Sequence, residues 1–216
     1  MIKGVIFDVD GVLLNSMTIW KDLGLRYLKN LGITGDEGLS ETLFSMSMEQ
    51  GAAYMKEQYH LKQTEEEILD GIKKLLEDFY FYEVEAKKGA ATLMKQFSEK
   101  QIPMVAATSS PRTHIEKALE RNHLLSYVQR IYTTSEVGKS KHSPKIYEMA
   151  ANGMDSKNCE TVVFEDSLYA LKTAKDAGFI TVGVFDKDGE ANQAELKEMA
   201  DIYVKDLFGA ISLFEQ

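Results

Sequence analysis

The chain has one cysteine, three prolines, and fewer basic than acidic side chains. Each shortage excludes something. A lone Cys159 rules out an internal disulfide framework, lacks the clustered partners of a zinc site, and suits a reducing cytoplasm with the thiol taken up in packing. No Pro-rich linker, repeat or low-complexity segment divides the sequence. No apolar run reaches the ~18 residues that would suggest a membrane span. Acids stand inside the first apolar stretch, so it does not read as a secretory signal. Lys and Arg number 25 against 34 Asp and Glu, and the formal charge of −9 argues against nucleic acid or an anionic membrane as partner. The deficit is uneven: residues 15–86 hold 7 basic and 14 acidic side chains. That shift in composition marks a separate module, and any anionic ligand would need local cations.

What is present is an ordinary globular composition, 44% hydrophobic and 27% charged over 216 residues, enough for a sizeable core. Apolar residues at 5–7 read as a short buried strand. Ile19, Trp20, Leu23, Tyr27, Leu28 and Leu31 follow a helical period ended by Gly32. Residues 47–59 are helical in pattern, and Thr64 followed by three glutamates opens another helix, expected to reach about residue 82. From Gly89 onward strands and helices alternate. Strands are expected at 102–108, 131–133, 161–164, 180–185 and 202–204. Helices are expected at 112–122, 144–152 and 167–177, the last stopped by Gly178. Alternation of this kind predicts an α/β fold, a Rossmann-like parallel sheet flanked by helices on both faces. The core comprises residues 1–14 and 87–216, and an all-helical insert occupies 15–86.

Four strand ends offer polar groups toward one edge of that sheet, the edge where open α/β folds bind ligands. Val5-Ile6-Phe7-Asp8-Val9-Asp10-Gly11 places two carboxylates on one side of a strand end, with a glycine for the tight turn. Like charges so close call for a cation between them or a shared proton. Thr108, Ser109 and Ser110 supply hydroxyls and amides at a strand-to-helix turn, which suits a phosphate cradle or simple helix capping. Lys139 and Lys141 precede a helix; solvation is the default for either, and position favours Lys141. Glu165 and Asp166 follow a buried strand, a second acidic pair best explained by a metal. Carboxylate-only ligation suits Mg²⁺. A metal, a lysine and an amide-rich turn describe a site for a phosphoryl group in transfer, with an aspartate as nucleophile and its neighbour two residues on as acid and base.

Asp8-Val9-Asp10-Gly11-Val12, Thr108-Ser109, Lys141 and Glu165-Asp166-Ser167, in that order, resemble the four motifs of the haloacid dehalogenase-like hydrolases. The helical insert resembles the cap of the subfamily containing β-phosphoglucomutase and sugar-phosphate phosphatases. The resemblance implies Asp8 as nucleophile and Mg²⁺ ligand. Asp10 would be the acid/base and bind the metal through its backbone carbonyl. Thr108 and the Ser109 amide would hold phosphoryl oxygens, and Lys141 would neutralise them and steady Asp8. Asp166 would be a direct metal ligand, with Glu165 beside it. Departures exist. Asn15-Ser16 replaces the usual Asp-Ser or Asp-Thr, Lys141-His142-Ser143-Pro144-Lys145 replaces Lys-Pro-x-Pro-Asp, and Ala170 replaces a glycine.

Within that family Asp10 argues against dehalogenation, and the pumps' Asp-Lys-Thr-Gly is missing. A mutase needs a cap arginine for a second phosphate. In the stretch Leu43-Phe44-Ser45-Met46-Ser47-Met48, Met48 stands where it would be, and no Arg occurs between Lys29 and Ser110. The sequence therefore implies a cytoplasmic, Mg²⁺-dependent phosphatase of a small phosphorylated metabolite, a sugar or polyol phosphate. The alternatives are a phosphosugar mutase and a phosphometabolite-binding protein without catalysis. A receiver-type signalling domain is disfavoured by the insert and by the position of Asp8 on the first strand. Asn15, Met17, Trp20, Met46, Met48 and Arg112 are the expected specificity residues.

Overall fold

A computed structural model of the chain describes residues 2–44 and 46–211. Two compact units emerge, Met1–Asn15 with Val84–Gln216, and Ser16–Glu83. The second unit is built from α1 (Met17–Asn30), α2 (Leu39–Phe44), α3 (Met48–Gln58) and α4 (Glu65–Asp78), with a π-helical turn at Phe79–Glu83. Two of these helices, α3 and α4, start at side chains that cap them. Thr64 and Glu67 bond reciprocally to each other's amides at the head of α4, and Ser47 and Gln50 do the same for α3. Ile68, Ile72 and Leu76 then line the buried stripe of α4. Gly71 permits close approach of that helix to α1, since a Cβ there would lie 2.5 Å from Cε2 of Tyr27.

The other unit runs β1 (Gly4–Phe7), α5 (Ala90–Glu99), β2 (Met104–Thr108), α6 (Arg112–Arg121), β3 (Arg130–Thr133), α7 (Thr134–Val137), α8 (Lys145–Asn152), β4 (Thr161–Glu165), α9 (Leu168–Asp176), β5 (Ile180–Val184), α10 (Gln193–Met199), β6 (Ile202–Val204) and α11 (Phe208–Ile211). Its six strands are all parallel in the order β3-β2-β1-β4-β5-β6. Buried along their whole length, β1, β2 and β4 are apolar in their interiors, as such a sheet requires, with polar residues only at the ends of β2 and β4. Phe7, Phe97 and Phe164 pack ring against ring on one face, while Ile146, Tyr147, Ala150 and Phe179 belong to a buried cluster with Ile6, Val105 and Val163.

Register decides where the chemistry falls. Phe7 pairs with Ala106 on one side and Phe164 on the other, and the Asp8 amide continues the ladder to the Phe164 carbonyl at 2.9 Å. The residues following β1, β2 and β4 therefore converge on one edge. Cys159 departs from expectation: it is exposed on a 3₁₀ turn before β4 rather than packed, because its neighbours Asn158 and Glu160 form a surface connection. Helices α2, α5 and α7 have no counterpart among the expected elements. Among the described residues no helix is long and apolar enough to cross a membrane.

Candidate active site

At the central edge of the sheet a buried lysine joins two buried acids. The Lys141 ammonium lies 2.7 Å from Asp8 Oδ1 and 2.6 Å from Glu165 Oε1, and its side chain is 3% exposed. Glu165 Oε1 also accepts the Tyr147 hydroxyl proton at 2.7 Å, whereas its Oε2 is buried with no donor. Asp8, Glu165 and Asp166 each bring a carboxylate oxygen within 4.8 Å of the others. Three acids against one ammonium leave an excess of negative charge at a largely buried site. The electrostatics register it. Burial first, then Glu165, hold the Asp8 carboxyl well above the ordinary carboxylate range, with Lys141 opposing and Asp166 and Asp10 adding to the rise. Burial and Glu165 likewise push the Asp166 carboxyl up to about 8. Burial acts to lower the Lys141 ammonium, but Asp8 and Glu165 outweigh it and hold its proton more tightly than usual. Burial and the Glu165 charge raise the Tyr147 hydroxyl, so it stays a donor.

An orphaned, buried carboxylate oxygen beside two acids is the signature of a place for a cation. The donors are all oxygen, which favours a hard divalent ion such as Mg²⁺ over zinc. The residues fit such an ion.

Asp10 stands outside this acidic group. Its Oδ2 accepts the Ser110 hydroxyl at 2.6 Å and faces the Thr108 hydroxyl at 3.5 Å. Thr108 is fully buried at the end of β2, and its oxygen accepts the Ser110 amide at 3.0 Å, while Ser109 is exposed at the turn entering α6. Gly11 makes the turn after Asp10 at φ 75°, its amide bonding Leu14. Lys139 is exposed and Lys141 buried, which separates the two lysines cleanly. His142 is an exposed residue whose ring stacks on Tyr169 at 4.4 Å.

The remaining expected residues divide into three groups. Trp20, Met46 and Met48 line one cavity of about 190 Å³ in the helical unit, with Leu23, Leu43 and Met55. Ser45, of the same stretch, is outside the described residues. Met17 is half-buried at the head of α1 and does not line that cavity; Asn15 is exposed. Arg112 spends its guanidinium on Glu136 in a two-point bond at 2.6 Å, on Glu116 and on the Ile131 carbonyl, and Arg112 holds Glu136 down to about 2. Tyr147 went unnoticed in the sequence. A tyrosine on the apolar stripe of a helix reads as core, and only the sheet order places it against Glu165.

A parallel sheet carrying a buried acid–lysine cluster beyond its central strands defines an α/β core with a polar site at the strand ends, the place where such folds bind ligands. Residues 5–184 match the haloacid dehalogenase-like hydrolase family, and the chain belongs to it. The validoxylamine A 7′-phosphate phosphatase of Streptomyces hygroscopicus subsp. limoneus is 25% identical over 96% of this chain and 95% of its own. A phosphorylated carbohydrates phosphatase of Thermotoga maritima is 24% identical over 82% of each chain. In fold, the chain is similar to a Thermotoga maritima protein assigned as a β-phosphoglucomutase, with a TM-score of 0.88, 23% identity and 99% of both chains covered.

Proposed function

We propose that this chain is a Mg²⁺-dependent phosphomonoester hydrolase of a small phosphorylated metabolite, a sugar or polyol phosphate, working through an aspartyl-phosphate, with the helical unit as its cap. The observation that carries the reading is the buried group of Asp8, Glu165 and Asp166, the first two bridged by Lys141, with one Glu165 oxygen left without a donor. The phosphatase names of the two relatives support the same class.

Asp8, Asp166 and Glu165, with the Asp10 backbone carbonyl, would hold the ion, which when bound neutralises charge on the phosphoryl group. An Asp8 carboxylate oxygen attacks phosphorus as the ester P–O bond breaks, leaving the phosphoryl group on Asp8. Asp10 gives its proton to the departing alkoxide. It then takes a proton from the water that attacks phosphorus, which frees phosphate and restores the Asp8 carboxylate. The Thr108 hydroxyl and Ser109 amide receive phosphoryl oxygens, and Lys141 balances their charge while fixing the direction of Asp8.

A mutase must seat a second phosphate away from this centre. The cavity in the helical unit is lined by Trp20, three methionines, two leucines and Ile72, with Lys21 as its one basic residue. With Ser40 and Ser47 as its other polar side chains, this cavity gathers no cluster of cations for a dianion within the helical unit, which favours hydrolysis as the reading to test first.

The test is phosphate release from a generic aryl phosphate and from a panel of sugar and polyol phosphates. Release should require Mg²⁺, stop with chelator, and disappear in Asp8→Asn. Activity surviving both treatments would sink the mechanism. Interconversion of sugar 1- and 6-phosphates with a bisphosphate activator would replace it with the mutase.

A further inference from the structure

A second ion pair, between half-buried Lys87 and buried Asp186, lies at the same sheet edge, outside the four motifs. Residues 13–15 and 85–87, the segments of the α/β unit that lead into and out of the helical one, pair with each other. Lys87 N donates to Leu13 O at 2.8 Å, Asn15 N donates to Glu85 O at 2.9 Å, and Leu14 bridges Ala86. Asn122 fixes the second segment by accepting from the Ala86 amide at 2.8 Å and donating to the Val84 carbonyl at 3.0 Å. From this anchored backbone the Lys87 ammonium reaches three oxygens: Gly11 O at 2.5 Å, Phe185 O at 2.9 Å and Asp186 Oδ2 at 2.7 Å. An ammonium has three donors, and all three are used. The side chains of Lys87 and Asp186 are 13% and 5% exposed, so the pair is screened little by solvent.

Each end of that pair touches a part of the site. Gly11 directly follows Asp10 in the tight turn. Asp186 heads the loop after β5, and its other oxygen accepts the Asp188 amide at 2.8 Å. In this loop Gly189 lies so close to the metal-site acid that a Cβ would come 2.9 Å from Asp166 Oδ2. Glu190 accepts the Leu168 amide at 3.0 Å, supplying the head of α9 with the cap that the Ser167 side chain does not make. The loop therefore covers Asp166 and closes the helix that follows it. Lys87 fastens this loop to the turn bearing Asp10.

We propose that Lys87, through its pair with Asp186, is a positioning residue that sets the Asp10–Gly11 turn against the loop covering Asp166. Without the ammonium, the Gly11 and Phe185 carbonyls lose their donor and a buried Asp186 charge is left uncompensated next to Asp166. Both the turn and the loop then relax, and the acid/base group loses its alignment with the reacting atoms. Misplacement on the scale of 1 Å costs roughly 100-fold in rate. The pair acts on turnover, since neither member belongs to the phosphate cradle.

The catalytic part of this assignment rests on the phosphatase reading above, and a second readout is independent of it. Lys87→Met, Asp186→Asn and the double variant of the full chain are assayed with an aryl phosphate and Mg²⁺. Amide hydrogen exchange is followed by mass spectrometry on the same proteins. Lys87→Met is expected to lower kcat roughly 10- to 100-fold with KM within about twofold of wild type. The double variant is expected to be no worse than Lys87→Met, the non-additivity of residues acting as one unit. Exchange should rise in residues 9–15 and 185–192 while β2 and β4 stay protected. Wild-type exchange in those two segments overturns the assignment, as does an unchanged kcat in an active protein. Exchange raised equally in β2 and β4 also overturns it, showing a general structural role. Should Lys87→Met not fold, Asp186→Asn decides on the same readouts. A wild type that releases no phosphate defeats the phosphatase reading alone, and the exchange comparison still decides the role of Lys87.

Discussion

A carboxylate whose one oxygen accepts twice while the other has no donor is fixed in direction, and Glu165 is held in this way. Lys141 and Tyr147 share the work of orienting it. Removing the tyrosine hydroxyl leaves the lysine contact and the ring's packing in place, so Tyr147→Phe should fold with a stability loss of about 1 kcal/mol. Its effect on the ion should be larger, since outer partners of ligating groups are worth roughly 10- to 100-fold in metal affinity. Titration calorimetry with Mg²⁺ checks this, and an unaltered Kd would leave Tyr147 as packing only. Asp10→Asn makes the opposite division: Mg²⁺ binding should persist while turnover collapses by about 100-fold or more, the worth of a general acid/base. Unchanged turnover would remove Asp10 from that role. The acids were legible in the sequence because strand ends announce themselves, an apolar run giving way to charge, whereas Lys141 follows no strand and was singled out from Lys139 only by its place before a helix. Tyr147 was illegible because nothing local separates a tyrosine that bonds a carboxylate from one that fills a core. Cys159 failed for the converse reason, as a lone thiol carries no pattern that tells buried from exposed.

Among the elements, glycines at helix ends show what one backbone position demands. Gly178 follows α9 at φ 84° with open space around it, and Gly89 precedes α5 at φ 89° against the backbone of Leu207 and Phe208. A Cβ on Gly89 would fall 2.5 Å from the Phe208 amide nitrogen. Gly178→Ala should therefore cost only the left-handed penalty, about 1–2 kcal/mol. Gly89→Ala should cost that plus overpacking, a further 1–3 kcal/mol or so, because backbone cannot move aside as a side chain can. Denaturant midpoints of the two variants measure the difference, and equal losses would refute the packing account. All six strands and most of the longer helices were readable because caps, glycines and apolar periods agreed there, but the ten-residue α5 between Gly89 and β2 was not assigned. Thr64 with its three glutamates and Pro144 before α8 both marked true starts. The four-residue α7 and six-residue α2 were not readable, since neither is long enough to display a period.

For the whole molecule, the balance of charge couples the site to pH and to metal. A formal charge of −9 opposes any anionic substrate, and the site answers with a buried ammonium and a place for a divalent ion. Without that ion Asp166 is raised to about 8 and Asp8 is raised as well, so both keep protons in the folded chain at pH values where the unfolded chain has lost them. Across that window the folded state binds more protons, and stability falls as pH rises toward the folded value. Glu136, held down at about 2 by Arg112, titrates below the window and leaves its slope alone. A divalent ion requires the deprotonated carboxylates, so its binding releases protons and strengthens with pH. In chelator, Tm should drop between about pH 5 and about pH 8 more steeply in wild type than in Asp166→Asn, which has no such proton to lose. Added Mg²⁺ should raise the wild-type Tm by an increment that grows over the same range and is strongly reduced in Asp166→Asn. Equal slopes for the two proteins in chelator, or a Mg²⁺ increment independent of pH, would mean that the buried acids do not exchange protons for the ion. The excess negative charge at the sheet edge would then need another partner, and the phosphatase chemistry would lose its physical basis.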